Sequence, residues 1–357
     1  MRELILSDWL RSAVRMVLQL VIFVGACLGT WLLAERHARR SRNRRTVDEL
    51  TLDISSADLD DDLPNDHAVV GRRLHYLERR TESPFLAVFL PGLGLDASDF
   101  RRHMRTADEH TVALTLFGFN VEEAHSDRYR PIGLEAHAAL VRVVLDNLHD
   151  RYPTKRLILV GFSVGADLIL KLSEIWQAHP DKALPVKGVL LLDPNIDQTT
   201  MNISTAVAAM DTSDPLAELR RLVHQATNLT EFRNICEYLR KITEKNPDQV
   251  QRHAQDILAY CSDDDSPDQF LRRLEVLDSQ TDMLRVVFSF DYEQQFNGMV
   301  AAARSKRLRR EIFHVAELNH FQLIDDELLP SEMKRLTSPS RRPREADRPT
   351  SPQRAGH

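Results

Sequence analysis

The chain has 357 residues, 43% hydrophobic and 28% charged, enough apolar side chain to bury a full core in one large or two modest domains, which excludes disorder throughout. Its 47 Lys and Arg nearly balance 53 Asp and Glu, giving a formal net charge of −6, and the basic residues are not interleaved with aromatics, so no nucleic-acid surface is expected. Three cysteines, Cys27, Cys236 and Cys261, are too few for a disulfide scaffold and too scattered for a metal site. Cys236 and Cys261 either pair in an oxidising compartment or remain two buried thiols.

After a short segment, 1–15, the stretch Met16–Ala34 reads MVLQLVIFVGACLGTWLLA, 19 residues without a charge, long enough to cross a hydrocarbon core of about 30 Å as one helix. It predicts a single-pass membrane anchor, since the apolar core of a cleaved signal peptide is shorter, about 7–15 residues. Arg36, Arg39, Arg40, Arg42, Arg44 and Arg45 outnumber Arg2, Arg11 and Arg15 on the other side, which places the rest of the chain in the cytoplasm by the positive-inside rule. Val24-Gly25-Ala26-Cys27 also resembles a lipoprotein processing site, a reading that would put Cys27 at a lipidated terminus and the protein on the opposite face.

Residues 35–70 turn from basic to acidic, ending in SADLDDDLPNDH without apolar period, so a flexible tether is expected over 46–70. A first core segment, 71–195, follows. Arg73–Arg79 and the apolar run Phe85–Leu90 read as strands, the second buried on both faces, and His110–Leu116 as a third. Leu134–Leu148 has helical apolar spacing, Arg156–Val160 is a buried strand, Ala166–Gln177 a helix, and Val186–Leu192 a strand. Between Asn195 and Gln280 only helical patterns occur, so 196–280 is expected to be an inserted helical cap. In 281–336, Leu284–Ser289 and Glu311–Val315 supply strands around a helix at Met299–Leu308, and the Pro-, Arg- and Ser-rich tail 337–357 reads as disordered. Strands alternating with helices define an α/β fold, a mostly parallel central sheet with helices on both faces.

Two turns carry chemistry. Gly161-Phe162-Ser163-Val164-Gly165 is a G-x-S-x-G between an apolar strand and an apolar helix, the context in which a tight turn lifts a serine hydroxyl off a sheet. Phe89-Leu90-Pro91-Gly92-Leu93-Gly94-Leu95-Asp96 is a glycine turn at the end of a buried strand, able to aim a backbone N–H at a developing oxyanion.

The runs PFLAVFLPGLGLDASDF, VALTLFGFN and LILVGFSVGADL together resemble the α/β-hydrolase superfamily over about 70–335, with the cap matched only in kind. The resemblance implies a serine esterase or lipase-like enzyme with Ser163 as nucleophile and the N–H groups of Leu93 and Val164 as oxyanion hole, Gly92, Gly94, Gly161 and Gly165 shaping the two turns. Pro91 stands where the family carries His, a departure that bears on how the loop is held. Chain order in the family puts the base in the final loop, which implies His320 in AELNHF after the last strand; His314 lies within a strand and reads as structural. The acid is open: Asp291, at the end of the penultimate strand, is preferred, with Glu293 and, in LLLDPN, Asp193 as alternatives. The implied reaction is cleavage of an ester through an acyl-enzyme, without cofactor or metal, on a small-molecule or lipid-like acyl substrate. An acyltransferase on the same residues, or a non-catalytic binding protein that keeps the fold, are the alternatives.

Overall fold

Eight strands make one sheet in a computed structural model that describes residues 46–55, 71–120, 123, 130–214, 220, 223–224, 228–261, 266–303, 308, 310–325 and 328–338. The folded unit is Val47–His357; Met1–Thr46 is a separate unit. The strands are β1 Asp48–Asp53, β2 Arg73–Arg79, β3 Phe85–Leu90, β4 His110–Leu114, β5 Arg156–Phe162, β6 Val186–Leu192, β7 Leu284–Phe288 and β8 Phe313–Val315. Their order is β1-β2-β4-β3-β5-β6-β7-β8, with β1/β2 and β2/β4 antiparallel and every other pair parallel. The central strands β3, β5 and β6 are the unbroken apolar runs of the sequence, and Val88, Phe89, Ile158, Leu159, Leu190 and Leu191 have no exposed surface. Side chains on both faces of such strands need apolar cover, which the helices supply.

The helices are α1 Arg101–Thr106, α2 Leu134–Arg151, α3 Val164–Ala178, α4 Asn202–Ala208, α5 Leu229–Thr243, α6 Pro247–Tyr260, α7 Ser266–Gln280, α8 Glu293–Ala303 and α9 Leu329–Thr337. From β3 the chain steps back to β4 through α1, whereas from β4 onward it steps across β5, β6, β7 and β8. Right-handed crossovers in opposite directions put their helices on opposite faces. The register puts α9 on the same face as α1: Ala87, Ile158 and Gly188 stand abreast, and a side chain on Gly188 would meet Leu336 of α9 at 3.1 Å. Phe89, two residues beyond Ala87 and so on the same face, packs at 5.1 Å on Phe100 and at 5.4 Å on His103 of α1. The reversal of direction lies between β3 and β5, and in open parallel sheets the crevice outside the carboxyl ends at that point is where ligands bind.

Three expectations are corrected. The tether over 46–70 contains a strand: β1 pairs from Asp48↔Glu78 to Asp53↔Arg73, with Leu50 and Leu52 packed against the core. Its acidic side chains face water at the sheet edge, so the composition of a linker and that of an exposed edge strand coincide. The helical region 196–280 also divides. Its last helix, α7, packs on α3, with Leu271 and Leu274 buried and the Arg273 guanidinium 3.0 Å from Glu174. Finally, the helix expected at Met299–Leu308 begins earlier, at Glu293.

The single-pass membrane expectation, with the localisation drawn from it, is corrected as well. Among the described residues no helix is long and apolar enough to cross a membrane. The longest, α2, has 18 residues but carries Glu135, Arg142, Asp146, Asp150 and Arg151, charges that a hydrocarbon core does not accept. The stretch 16–34 and its lipoprotein-like Cys27 lie outside the described residues, as does the tail beyond Ser338.

A buried histidine stack joins α6 to α2. The rings of His253 and His137 lie 4.7 Å apart and 2° from parallel, with the Phe119 ring 5.5 Å from His253 and 6.4 Å from His137. Burial holds His137 down to about 4, despite carbonyls of Phe117 and Gly133 at its ring nitrogens, and holds His253 well below its ordinary value. Both rings are therefore neutral in the folded chain and charged in the unfolded chain between pH 6.5 and about 4. In that window the unfolded state takes up protons that the folded state refuses, so this pair removes stability as pH falls. Urea unfolding of His253→Phe should show a smaller loss between pH 6.5 and 4 than the wild type; equal losses would show that the stack is not the acid-sensitive element.

Candidate active site

The sequence places Ser163 between β5 and α3, and the structure shows why both glycines flank it. Ser163 has φ 51° and ψ −122°, a conformation that L residues adopt only when their surroundings force it. The turn is closed by Ser163 N–H to the Leu192 carbonyl at 2.8 Å and by Ala166 N–H to the Ser163 carbonyl at 2.7 Å. A Cβ on Gly165 would stand 2.2 Å from the Leu90 carbonyl oxygen, and one on Gly161 2.5 Å from the Gly165 oxygen. The bare backbones thus let β3, β5 and the first turn of α3 meet, leaving the serine at the helix amino terminus, where the dipole favours negative charge.

His320 stands in the final loop, at the start of a 3₁₀ turn whose N-cap, Asn319, exchanges capping bonds with Gln322. Its ring lies 4.7 Å from that of Phe162 and 5.3 Å from that of Phe321. The carboxylate on Nδ1 is Asp193, at 2.8 Å, and not Asp291, the preferred candidate from the sequence. Asp193 is 1% exposed, sits at φ 44° just past β6, and takes the Ser289 N–H on its other oxygen at 2.7 Å. Asp291 is exposed and accepts the backbone N–H of His320 at 3.0 Å, so it holds the loop rather than the ring. Glu293 is exposed at the first position of α8 and His314 is exposed on β8. The reason lies in the sheet: β6 and β7 are neighbours, so the ends of both reach the same loop, and the turn of Asp193 aims its side chain across β7.

The glycine turn after β3 lies against the elbow. A Cβ on Gly92 would be 3.3 Å from that of Ser163, and Gly94 takes φ 70°. Leu93, between them, is buried, as is Pro91. Among the described residues, neither the Leu93 nor the Val164 N–H bonds a backbone carbonyl. Ser163 and His320 share one cavity of about 430 Å³, with Leu93, Phe162, Tyr238 and Asn195 in its wall. No hydrogen bond joins Ser163 to His320 among the described residues; such contacts tighten when substrate arrives.

Sequence reasoning missed Asp167, four residues after Ser163 and without exposed surface, which receives the Asn195 side-chain and backbone N–H groups. Burial, opposed by those bonds, raises its carboxyl to about 7. Its only sequence signal was an acidic residue in an apolar helix start. No disulfide joins Cys236 and Cys261, and Cys261 is buried beside the Asn195 carbonyl at 3.9 Å. Among the described residues no cluster of His, Cys, Asp or Glu is arranged to hold a metal ion.

An elbow serine, a histidine–aspartate couple and a sheet that reverses direction beneath them define an α/β hydrolase architecture. The chain belongs to the alpha/beta hydrolase family, whose model matches residues 87–335. No curated protein matches the sequence. Among solved structures it is similar to AqdC, described as recognising and ring-cleaving the Pseudomonas quinolone signal, with 19% identity over 74% of this chain and 97% of that chain and a TM-score of 0.54. It is also similar to a thermophilic esterase from Thermogutta terrifontis, with 15% identity, 82% and 100% covered and a TM-score of 0.53. A third is 1H-3-hydroxy-4-oxoquinoline 2,4-dioxygenase, with 14% identity, 81% and 100% covered and a TM-score of 0.54. At these identities the likeness establishes the fold, which esterase and dioxygenase have in common.

Gly165→Ala should cost at least about 1–3 kcal/mol of unfolding free energy, because its methyl would meet backbone rather than a movable side chain. Denaturant titration checks this; a loss below about 0.5 kcal/mol would mean that the elbow relaxes freely.

Proposed function

We propose that the chain is a serine hydrolase that cleaves a small-molecule ester through an acyl-enzyme. The observation that carries the reading is the Asp193–His320 couple, 2.8 Å long, opening on the same cavity as a serine held at φ 51°. A serine hydroxyl becomes nucleophilic only beside a base whose far nitrogen is oriented by a carboxylate. With Nδ1–H donating to Asp193, the neutral tautomer leaves Nε2 as proton acceptor. Ser163 Oγ then attacks the carbonyl carbon while Nε2 takes its proton, and the carbonyl oxygen becomes an oxyanion received by the N–H groups of Leu93 and Val164. Collapse expels the alcohol, which leaves with the proton from Nε2; water repeats the sequence on the acyl-enzyme and releases the acid.

The cavity volume lies in the range of small-molecule sites, about 300–1,000 Å³. Its wall mixes apolar Leu95, Met201 and Ile235 with amide side chains such as Asn202 and Asn234, which suits an uncharged acyl or alcohol group of modest size.

Hydrolysis of p-nitrophenyl acetate, butyrate and octanoate by the full chain tests the reading. Ser163→Ala and His320→Ala should each lower kcat by about 10³-fold or more. Asp193→Asn should lower it by about 10⁴-fold by turning the imidazole to the wrong tautomer, whereas Asp291→Asn should stay within about tenfold of wild type. Turnover that survives Ser163→Ala, with no labelling of Ser163 by a fluorophosphonate, would overturn the hydrolase reading; full loss in Asp291→Asn with activity kept in Asp193→Asn would overturn the assignment of the acid.

A further inference from the structure

The turn that carries Leu93 continues into a short 3₁₀ segment, Ala97–Phe100, whose amino-terminal end is closed by a capping box of Asp96 and Asp99. One oxygen of Asp96 receives the Ser98 N–H at 2.8 Å, and one oxygen of Asp99 receives the Asp96 N–H at 2.9 Å. In each carboxylate the remaining oxygen is held by a lysine from the cap region: Lys245 on Asp96 and Lys241 on Asp99. Lys241 ends the exposed face of α5, where Glu237 also reaches it at 3.6 Å, and Lys245 follows in the turn after the helix. Between them Ile242 lies over the glycine turn: a Cβ on Gly94 would be 2.8 Å from its Cγ1.

These are not solvent-facing pairs of the kind that contribute little. The side chains of Lys245 and Asp99 are each 2% exposed, and Lys245 beside it holds the Asp96 carboxyl below its ordinary range although burial pushes the other way. In each pair the buried member, Lys245 or Asp99, has little access to water as an alternative partner, which fixes its position against the opposite charge. The opposite half of α5 lines the cavity through Asn234, Ile235 and Tyr238. One helix therefore touches substrate space at its start and middle and grips the Leu93 turn at its end.

We infer that Lys241 and Lys245 are positioning residues that set the oxyanion turn from the cap, so that the Leu93 N–H is held in place by α5 and answers to what α5 meets in the cavity. The inference rests on the hydrolase reading for its catalytic consequence, but the mechanical coupling stands on the contacts alone.

The test uses the full chain carrying Lys241→Gln, Lys245→Met and, as a rescue, Lys241→Arg, each checked for an intact cooperative melt. Ester turnover and amide hydrogen exchange over residues 92–95 are measured on all four proteins. A donor displaced by a fraction of an ångström costs rate more than binding, so kcat should fall about ten- to a hundredfold in Lys241→Gln and Lys245→Met with KM within about threefold, and Lys241→Arg should recover most of it. Exchange at residues 92–95 should quicken in the two neutral variants while the sheet amides keep wild-type rates. Lys241→Gln serves if Lys245→Met does not fold, since the Lys241 side chain is already 25% exposed. Unchanged exchange at 92–95, or wild-type kcat in a folded variant, would overturn the inference. If the wild type itself lacks Ser163-dependent turnover, the hydrolase reading fails, and the exchange data alone decide whether α5 holds the turn.

Discussion

The close approach of backbones where Gly165 passes under the Leu90 carbonyl constrains everything above it. With no side chain at that position, α3 starts directly against the end of β3, and the chain leaving β5 must turn at Ser163 through a conformation that only this packing imposes. The strain is offset by what the turn is locked between: the Leu192 carbonyl on one side and the first turn of α3 on the other. The serine hydroxyl, the free N–H of Val164 and the Leu93 turn are consequences of one steric fact, and the sheet reversal between β3 and β5 is what brings the two turns side by side.

Around that point the sheet acts as a comb whose teeth deliver the other groups. Asp193 ends β6, Ser289 follows β7, and His320 lies in the loop after β8, so the histidine is reached from two adjacent strands. Asp193 and Asp291 divide the work of holding His320: the first takes the ring nitrogen, the second the backbone N–H. A buried carboxylate satisfied by one backbone N–H and one imidazole N–H is less costly than one facing the ring alone, which gives the arrangement its physical sense.

Among the described residues the helical region is less a separate lid than a set of helices, α5 and α6 foremost, tied down at several points. Gln249 of α6 pairs with both the N–H and the carbonyl of Ile132, Asp256 takes the Leu134 N–H, and α5 grips the turn after β3. A wall fastened at this many places shapes a cavity more than it opens one, and its lining is rich in amide side chains.

Much of the architecture was legible in the sequence because it follows from local patterns. Short unbroken apolar runs between turn residues read as strands buried on two faces, the G-x-S-x-G between such a run and an apolar helix reads as a tight turn, and a histidine after the last strand falls at the same rim. Three things were decided by tertiary packing alone. The carboxylate that faces His320 depends on which strand end lies across from it, and Asp193 and Asp291, nearly a hundred residues apart in the chain, come from neighbouring strands. The edge strand β1 carries the composition of a linker and becomes a strand only because β2 offers an open row of backbone groups. The lysines that grip Asp96 and Asp99 read as ordinary charges on a polar helix face, since nothing in a helix's own sequence says which surface lies opposite it. Sequence fixes what each segment can be; contacts between distant segments, which carry no local signature, determine which of those possibilities meet.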